Sequence, residues 1–408
     1  MKARAWDDQR LTRLDEVLAG HVARGAVTGM TWLVARGGDV HMGAAGHLAA
    51  GVEGDGGPAG TPTGTAARDT IYRISSTTKP ITAVAALALV EDCVLRLDDP
   101  IDDLVPELAG RRVLADAGGS LDDTVPADRP ITVGDVLTFR TGLGWDFAAA
   151  GPQPVMAAMA ERGLSAGPPA PQRLPAPDEW ARQVGELPLA YQPGTRWLYD
   201  TSADLLGVLV ARAAGRPLDE VLAERVFGPL GMDDTAFFVP EAERERFGPV
   251  YVADPATGAR VTYDASDGQW ASPPAFPSGA AGLVSTVDDL AAFGTMLLAG
   301  GVHRGTRLLA RPTVEAMATN QLTPGQSALL DPDGGAGWGL GVGVHLRRSG
   351  TGRSAGSYGW DGGLGTVWAN DPDEDLVGVL LTNQAWFSPT PPPVARDFWT
   401  ATYAAFAD

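Results

Sequence analysis

A chain of 408 residues, 44% apolar and 20% charged, is long enough to bury a large core and is neither disordered nor fibrous. Its formal charge of −19 opposes nonspecific binding to nucleic-acid backbones and anionic membranes, and it has no apolar run of about eighteen residues to span a bilayer. One cysteine, Cys93, excludes an internal disulfide framework; with no apolar signal core in MKARAWDDQRLTRLDE, the expected setting is the cytoplasm.

In chain order, Leu11, Leu14, Val17, Leu18 and Val22 recur at helical spacing before Gly25, which predicts an amphipathic first helix. MTWLVAR (30–36) and VHMGAAG (40–46) flank Gly37-Gly38-Asp39 and read as two antiparallel strands joined by a tight turn. A Gly/Thr/Ala stretch over 51–69 reads as a loop, and the pattern from Ser76 to about Asp92 is helical. Helices follow at 132–139, 202–214, 217–226 and 241–246, with a Pro/Ala/Gly-rich surface loop over 164–178. Beyond these, 286–299 and 312–319 are helical, 338–346, 365–371 and 375–383 are strand-like, and 393–406 closes as a helix. The expected fold class is α+β: an antiparallel sheet built from both chain ends, flanked by helices, with a mostly helical inserted lobe. The boundaries are 1–97 and 276–408 for the sheet domain and 98–275 for the insertion, with the active site between them.

Residues 73–84, RISSTTKPITAV, place a lysine at the mouth of an apolar helix in a chain with 29 arginines and two lysines. Ser76 and Lys79 lie one helical turn apart and face one cleft. A serine hydroxyl needs a neighbour to take its proton, and a lysine whose pKa is lowered by burial is such a neighbour, whereas arginine stays protonated. The amide of Ser76, at the helix start, faces any oxyanion formed there. The same serines and threonines also serve as N-cap candidates, so the spacing alone decides nothing.

The wider pattern resembles the serine β-lactamase and penicillin-binding superfamily. Arg73-Ile-Ser-Ser-Thr-Thr-Lys79-Pro80 is similar to its Ser-x-x-Lys nucleophile segment. Leu97-Asp-Asp-Pro100, Thr132 to Leu143, Gln192 to Tyr199, Leu205-Leu-Gly207, Phe227 to Met232 and Ser278 to Thr286 follow in the family's order. Within the superfamily the chain looks most like the class C-like branch that includes family VIII carboxylesterases and related acyltransferases. The resemblance implies a β-lactamase/transpeptidase-like fold, Ser76 as nucleophile, and Tyr199, held partly ionised by Lys79, as the proton shuttle. It also implies Gly363 as the second oxyanion donor beside Ser76.

Two departures bear on substrate. The family's Tyr-x-Asn is Tyr199-Asp200-Thr201, and losing that amide argues against amide and β-lactam chemistry. Where relatives carry Lys-Thr-Gly, Tyr358-Gly-Trp360-Asp361-Gly362-Gly363 puts tryptophan in place of the cation, which favours uncharged or hydrophobic groups. Trp360, Asp361, Gly362, Trp145 and Trp386 are the substrate-binding candidates. Gly352-Arg-Ser354-Ala-Gly356 fits a nucleophile elbow, yet no helix pattern follows it and all five histidines precede it, so Ser354 reads as a turn residue.

No metal or phosphate-cofactor motif is present. The expected activity is cofactor-free cleavage of a small-molecule ester through an acyl-enzyme, with no nucleic-acid or membrane partner. Acyl transfer and β-lactamase or D-amino peptidase activity are the alternatives within the superfamily, and a non-catalytic binding module is the alternative outside enzymes.

Overall fold

Asp7 starts helix α1 (Asp8–Ala23) by accepting the Arg10 amide at 3.1 Å, and Leu11, Leu14 and Leu18 form its buried stripe. These and the following facts come from a computed structural model that describes residues 5–52, 61–164, 167–388 and 390–407. Parts of both predicted loops, 53–60 and 165–166, lie outside the described residues.

Strands β1 (Gly29–Arg36) and β2 (Asp39–Gly46) form the predicted hairpin, with Gly37 and Gly38 both at positive φ, as its two-residue turn requires. The far end of the chain supplies β3 (Ala336–Trp338), β4 (Gly343–His345), β5 (Tyr358–Gly362), β6 (Thr366–Asp371) and β7 (Leu376–Thr382). The order is β3-β4-β5-β6-β7-β1-β2, antiparallel throughout, so the two chain ends meet where β1 pairs with β7. This is the expected α+β, β-lactamase/transpeptidase-like architecture.

Helices α2 (Thr78–Glu91), α3 (Thr201–Ala214), α4 (Val287–Leu298) and α5 (Pro393–Ala404) complete the frame. The period-2 alternation of the strands divides the core. Leu33, Trp368 and Val379 join the cluster containing α2 and α4, while Trp32, Val367 and Leu380 pack with Leu14, Leu18 and Phe398 of α1 and α5. Gly294 lets α4 approach the sheet: a Cβ there would stand 2.6 Å from Trp368 Nε1.

Several expected elements differ. The strand expected over 338–346 is the β3–β4 hairpin, because Gly339 donates to the Val342 carbonyl and Gly341, at φ 82°, sits against Ala83. Helices Pro154–Glu161, Pro177–Gly185 and Pro324–Leu330 were not expected. Each opens on proline, which suits a first helical turn but reads as loop by composition. Residues 241–246 form a 3₁₀ helix, and 218–222 pass into a π turn at 223–227. Among the described residues no helix is long and apolar enough to cross a membrane.

Side-chain anchors fix the segment ahead of α2. Arg73 is buried, donates to Asp264 at 2.7 and 2.9 Å, and lies 3.9 Å over the Phe247 ring. Thr366 Oγ1 donates to the Ile74 carbonyl at 2.9 Å, tying this segment to β6. Gly362 permits the approach: a Cβ there would lie 2.2 Å from both the Ile74 oxygen and Thr366 Oγ1. Gly362→Ala is therefore expected to cost about 1–3 kcal/mol. Urea unfolding measures this, and an unchanged midpoint would show that the contact has slack.

Candidate active site

A short 3₁₀ turn, Ser75–Thr77, leads into α2 and carries Ser76. Ser75 holds φ 46°, a left-handed conformation that a serine adopts only where its surroundings enforce it. Lys79 follows on the first turn of α2 with its side chain 1% exposed. Its ammonium has three acceptors: Ser76 Oγ at 2.8 Å, the Ala280 carbonyl at 2.9 Å and Asp200 Oδ1 at 2.7 Å. Three N–H groups and three acceptors leave it fully satisfied.

Asp200 explains a difference from the expected lysine chemistry. Burial by itself lowers the Lys79 pKa, but the charge of Asp200, with Tyr199 and Asp204 adding to it, outweighs burial and holds Lys79 above the ordinary lysine value. The buried lysine is thus an ammonium, where the sequence led us to expect one depressed toward neutrality. Asp200 sits at φ 85°, ψ −65°, a strained γ-turn geometry at the start of α3, and makes no side-chain cap to its own helix. Its carboxylate goes to Lys79 instead.

Tyr199 arrives through a backbone bridge to Trp145, with amide–carbonyl bonds of 2.9 and 2.8 Å. Its hydroxyl shares a 2.9 Å hydrogen bond with Ser76 Oγ, and Lys79 Nζ lies 4.8 Å from its ring centroid. Trp360 Nε1 donates to Tyr199 Oη at 2.9 Å. Phe147, 5.2 Å away centroid to centroid, covers another side of the ring.

The structure therefore brings Ser76, Lys79 and Tyr199 together. Trp145, Trp360, Asp361, Gly363 and Trp386 line the adjoining cavity of about 700 Å³, as does Ser76. Gly362 does not line it: it is buried against Ile74 and Thr366, so its place among the substrate-binding candidates is corrected. Among the described residues the amide N–H groups of Ser76 and Gly363 have no hydrogen-bond acceptor. Ser354 is buried in a turn, accepting from Arg348 and with its amide on Asp371. Sequence reasoning missed the contact from Asp200 to Lys79 and the cavity wall at Phe147. A signal for the first was the acidic residue directly after the tyrosine.

The beta-lactamase family profile matches residues 14–397. The chain belongs to the beta-lactamase family. It is 39% identical over 327 residues to an uncharacterised protein of Mycobacterium tuberculosis, covering 77% of each chain. Esterase EstB of Burkholderia gladioli is 32% identical over 339 residues, covering 78% of each. The solved structure of EstCE1, "a hydrolase with promiscuous acyltransferase activity", superposes with a TM-score of 0.76 at 23% identity, over 97% of this chain and 99% of that one. Membership of the beta-lactamase family, with esterase relatives, supports a serine hydrolase or acyltransferase.

One more acid lies beside the cluster of Ser76, Lys79 and Asp200. Asp204 Oδ1 accepts from Ser278 Oγ at 2.6 Å and from the Ala280 amide at 3.1 Å. Burial, and then the charge of Asp200, push its pKa up to about 7. The unfolded chain releases this proton near the ordinary carboxylate value of about 3.9. Between those two pH values the folded state holds the extra proton, so stability falls as pH rises and levels off above about 7. Asp204→Asn keeps an acceptor at Oδ1 and removes this slope. Relative to wild type it should gain about 1–3 kcal/mol between about pH 4 and pH 8 in urea unfolding. Parallel pH profiles for the two proteins would contradict the assignment.

Proposed function

We propose that this protein is a carboxylesterase, similar to the family VIII enzymes, working through an acyl-enzyme on Ser76. The observation that carries this reading is the Ser76–Tyr199–Trp360 chain, set beside Lys79 and the two unpartnered amides. Tyr199, rather than Lys79, is the base. The Trp360 N–H donates to its oxygen and the ammonium lies 4.8 Å from its ring centroid, whereas Lys79 already donates all three protons.

Ser76 Oγ attacks the ester carbonyl carbon while its proton passes to Tyr199 Oη. The carbonyl oxygen, now an oxyanion, accepts from the amides of Ser76 and Gly363. Collapse breaks the bond to the alcohol, which leaves with the proton from Tyr199. Water then attacks the acyl-enzyme, Tyr199 takes its proton and returns it to Ser76. An alcohol in place of water gives acyl transfer by the same steps.

At the Trp360 side the group bound is uncharged and hydrophobic. The Lys79 ammonium nearby is already taken up by three acceptors, and Trp360, Trp145 and Phe147 present rings to the cavity. We read the division into a sheet domain, 1–97 with 276–408, and a helical insertion, 98–275, as the frame around this site.

Wild type is expected to hydrolyse p-nitrophenyl butyrate with a burst that Ser76→Ala abolishes. Equal rates in both proteins, or turnover of nitrocefin rivalling that of esters, would overturn the esterase reading. Trp360→Phe keeps the ring and removes the N–H from Tyr199. It should lower kcat about tenfold and shift the pH–rate profile, with KM little changed. A change confined to KM would return Trp360 to a purely substrate-contacting role.

A further inference from the structure

Strand β5 is covered on one side only. It pairs with β4 at Tyr358 and Gly359 alone, so Trp360, Asp361 and Gly362 have ladder partners only on β6. Neighbouring strand residues point to opposite faces. Trp360 turns to Tyr199, while Asp361 turns toward Arg353, whose guanidinium lies 5.0 Å over the ring of Trp399 in α5. Both strand residues line the same cavity, which therefore passes round the open edge of β5.

The wall also includes His345, Ser349, Arg353 and Asp361. Arg353 is the only arginine or lysine among the described lining residues. Among the described residues its guanidinium makes no hydrogen bond and no ion pair, and Asp361 Oδ1 is buried without a partner. The two charges are neighbours that do not touch. Burial lowers the arginine and raises the aspartate, and each charge opposes the shift of the other. Arginine stays cationic under such a shift. Burial, and then Arg353 itself, push His345 down to about 3, so the imidazole is neutral and offers no second positive charge.

The turn carrying Arg353 is firmly held. Ser349 donates to the Arg353 carbonyl at 2.9 Å, Arg348 donates to the Gly352 carbonyl and to Ser354 Oγ, and the Ser354 amide donates to Asp371 at the end of β6. The glycine–serine segment that imitates a nucleophile elbow is thus a presentation turn for the arginine between its two named residues. An arginine with five unmatched donors on a rigid turn, in a cavity wall, suits a planar oxyanion.

We propose that Arg353 anchors a terminal carboxylate on the far arm of the ester substrate, so that the preferred substrates are half-esters of dicarboxylic acids reaching round the open edge of β5. This rests on the esterase reading above and limits the expectation of an uncharged group to the Trp360 side. Asp361, the neighbour of Arg353, lies two residues before Gly363, about 7 Å along the chain, which sets the scale of the arm.

The test compares p-nitrophenyl half-esters of glutaric, adipic and suberic acid with their methyl-capped diesters, in wild type, Arg353→Met and Asp361→Asn. Arg353→Met should lower kcat/KM for the best half-ester about 10- to 100-fold, mainly through KM, leaving the capped diester and the butyrate within about twofold. Asp361→Asn removes a competing negative charge and should move the half-ester preference the other way. A folded Arg353→Met with an unchanged preference would overturn the proposal while the esterase reading stands.

If Arg353→Met loses its melting transition, inhibition of wild-type butyrate hydrolysis decides: adipate must inhibit more strongly than its dimethyl ester, and no preference overturns the proposal. If wild type turns over no ester, the esterase reading fails separately, and calorimetry of adipate on Ser76→Ala with and without Arg353→Met reads the anion site. Binding that depends on Arg353 supports it, and binding independent of Arg353, or none, overturns it.

Discussion

The structure turns on one buried ammonium that must find three acceptors. Lys79 leaves the first turn of α2 almost without solvent, and an unpaired charge there would be severely destabilising. Its three bonds reach three separate parts of the chain: Ser76 on its own turn, Ala280 in the segment before α4, and Asp200 at the head of α3. Satisfying the lysine therefore assembles the site. It also accounts for the backbone of Asp200, since a γ-turn geometry costing about 1–3 kcal/mol persists only where the surroundings hold it.

The same constraint redistributes the chemistry. A lysine that donates in three directions beside a carboxylate is a poor proton acceptor, and in the proposed mechanism the role of base passes to the tyrosine beside it. Trp360 takes up part of this work. At the position where the resemblance implies a cation, its indole N–H meets the phenol oxygen and gives Tyr199 a neutral donor.

The sheet makes both possible through an incomplete ladder. β5 is pinned to β6 along its length and to β4 at two positions, leaving the residues nearest Ser76 with an open edge. Close packing where Gly362 meets the Ile74 carbonyl holds that edge in register with the turn that carries Ser76. The cavity wraps the open edge, so residues on both faces of one strand can touch one ligand.

The Ser76–Lys79 pair, the hairpin of β1 and β2, and the union of both chain ends in one sheet were legible in the residues themselves, whereas Tyr199 came only from the family resemblance. The reason is local: a one-turn spacing puts a serine and a lysine on one side of a helix, and alternation of apolar residues marks a strand wherever it pairs. Where local pattern misled, a tertiary contact had intervened, as when Gly341 packed on Ala83 and broke one expected strand into a hairpin. The charge state of Lys79 was not legible either. Burial argues for a depressed lysine, and only the fold brings Asp200 across 121 residues to reverse it. The direction of the Trp360 N–H, the burial of Gly362 against Ile74 and the placing of Arg353 at the cavity wall belong to the same class. Each depends on which faces of distant elements meet, a relation set by sheet register and side-chain packing that no single stretch of sequence contains.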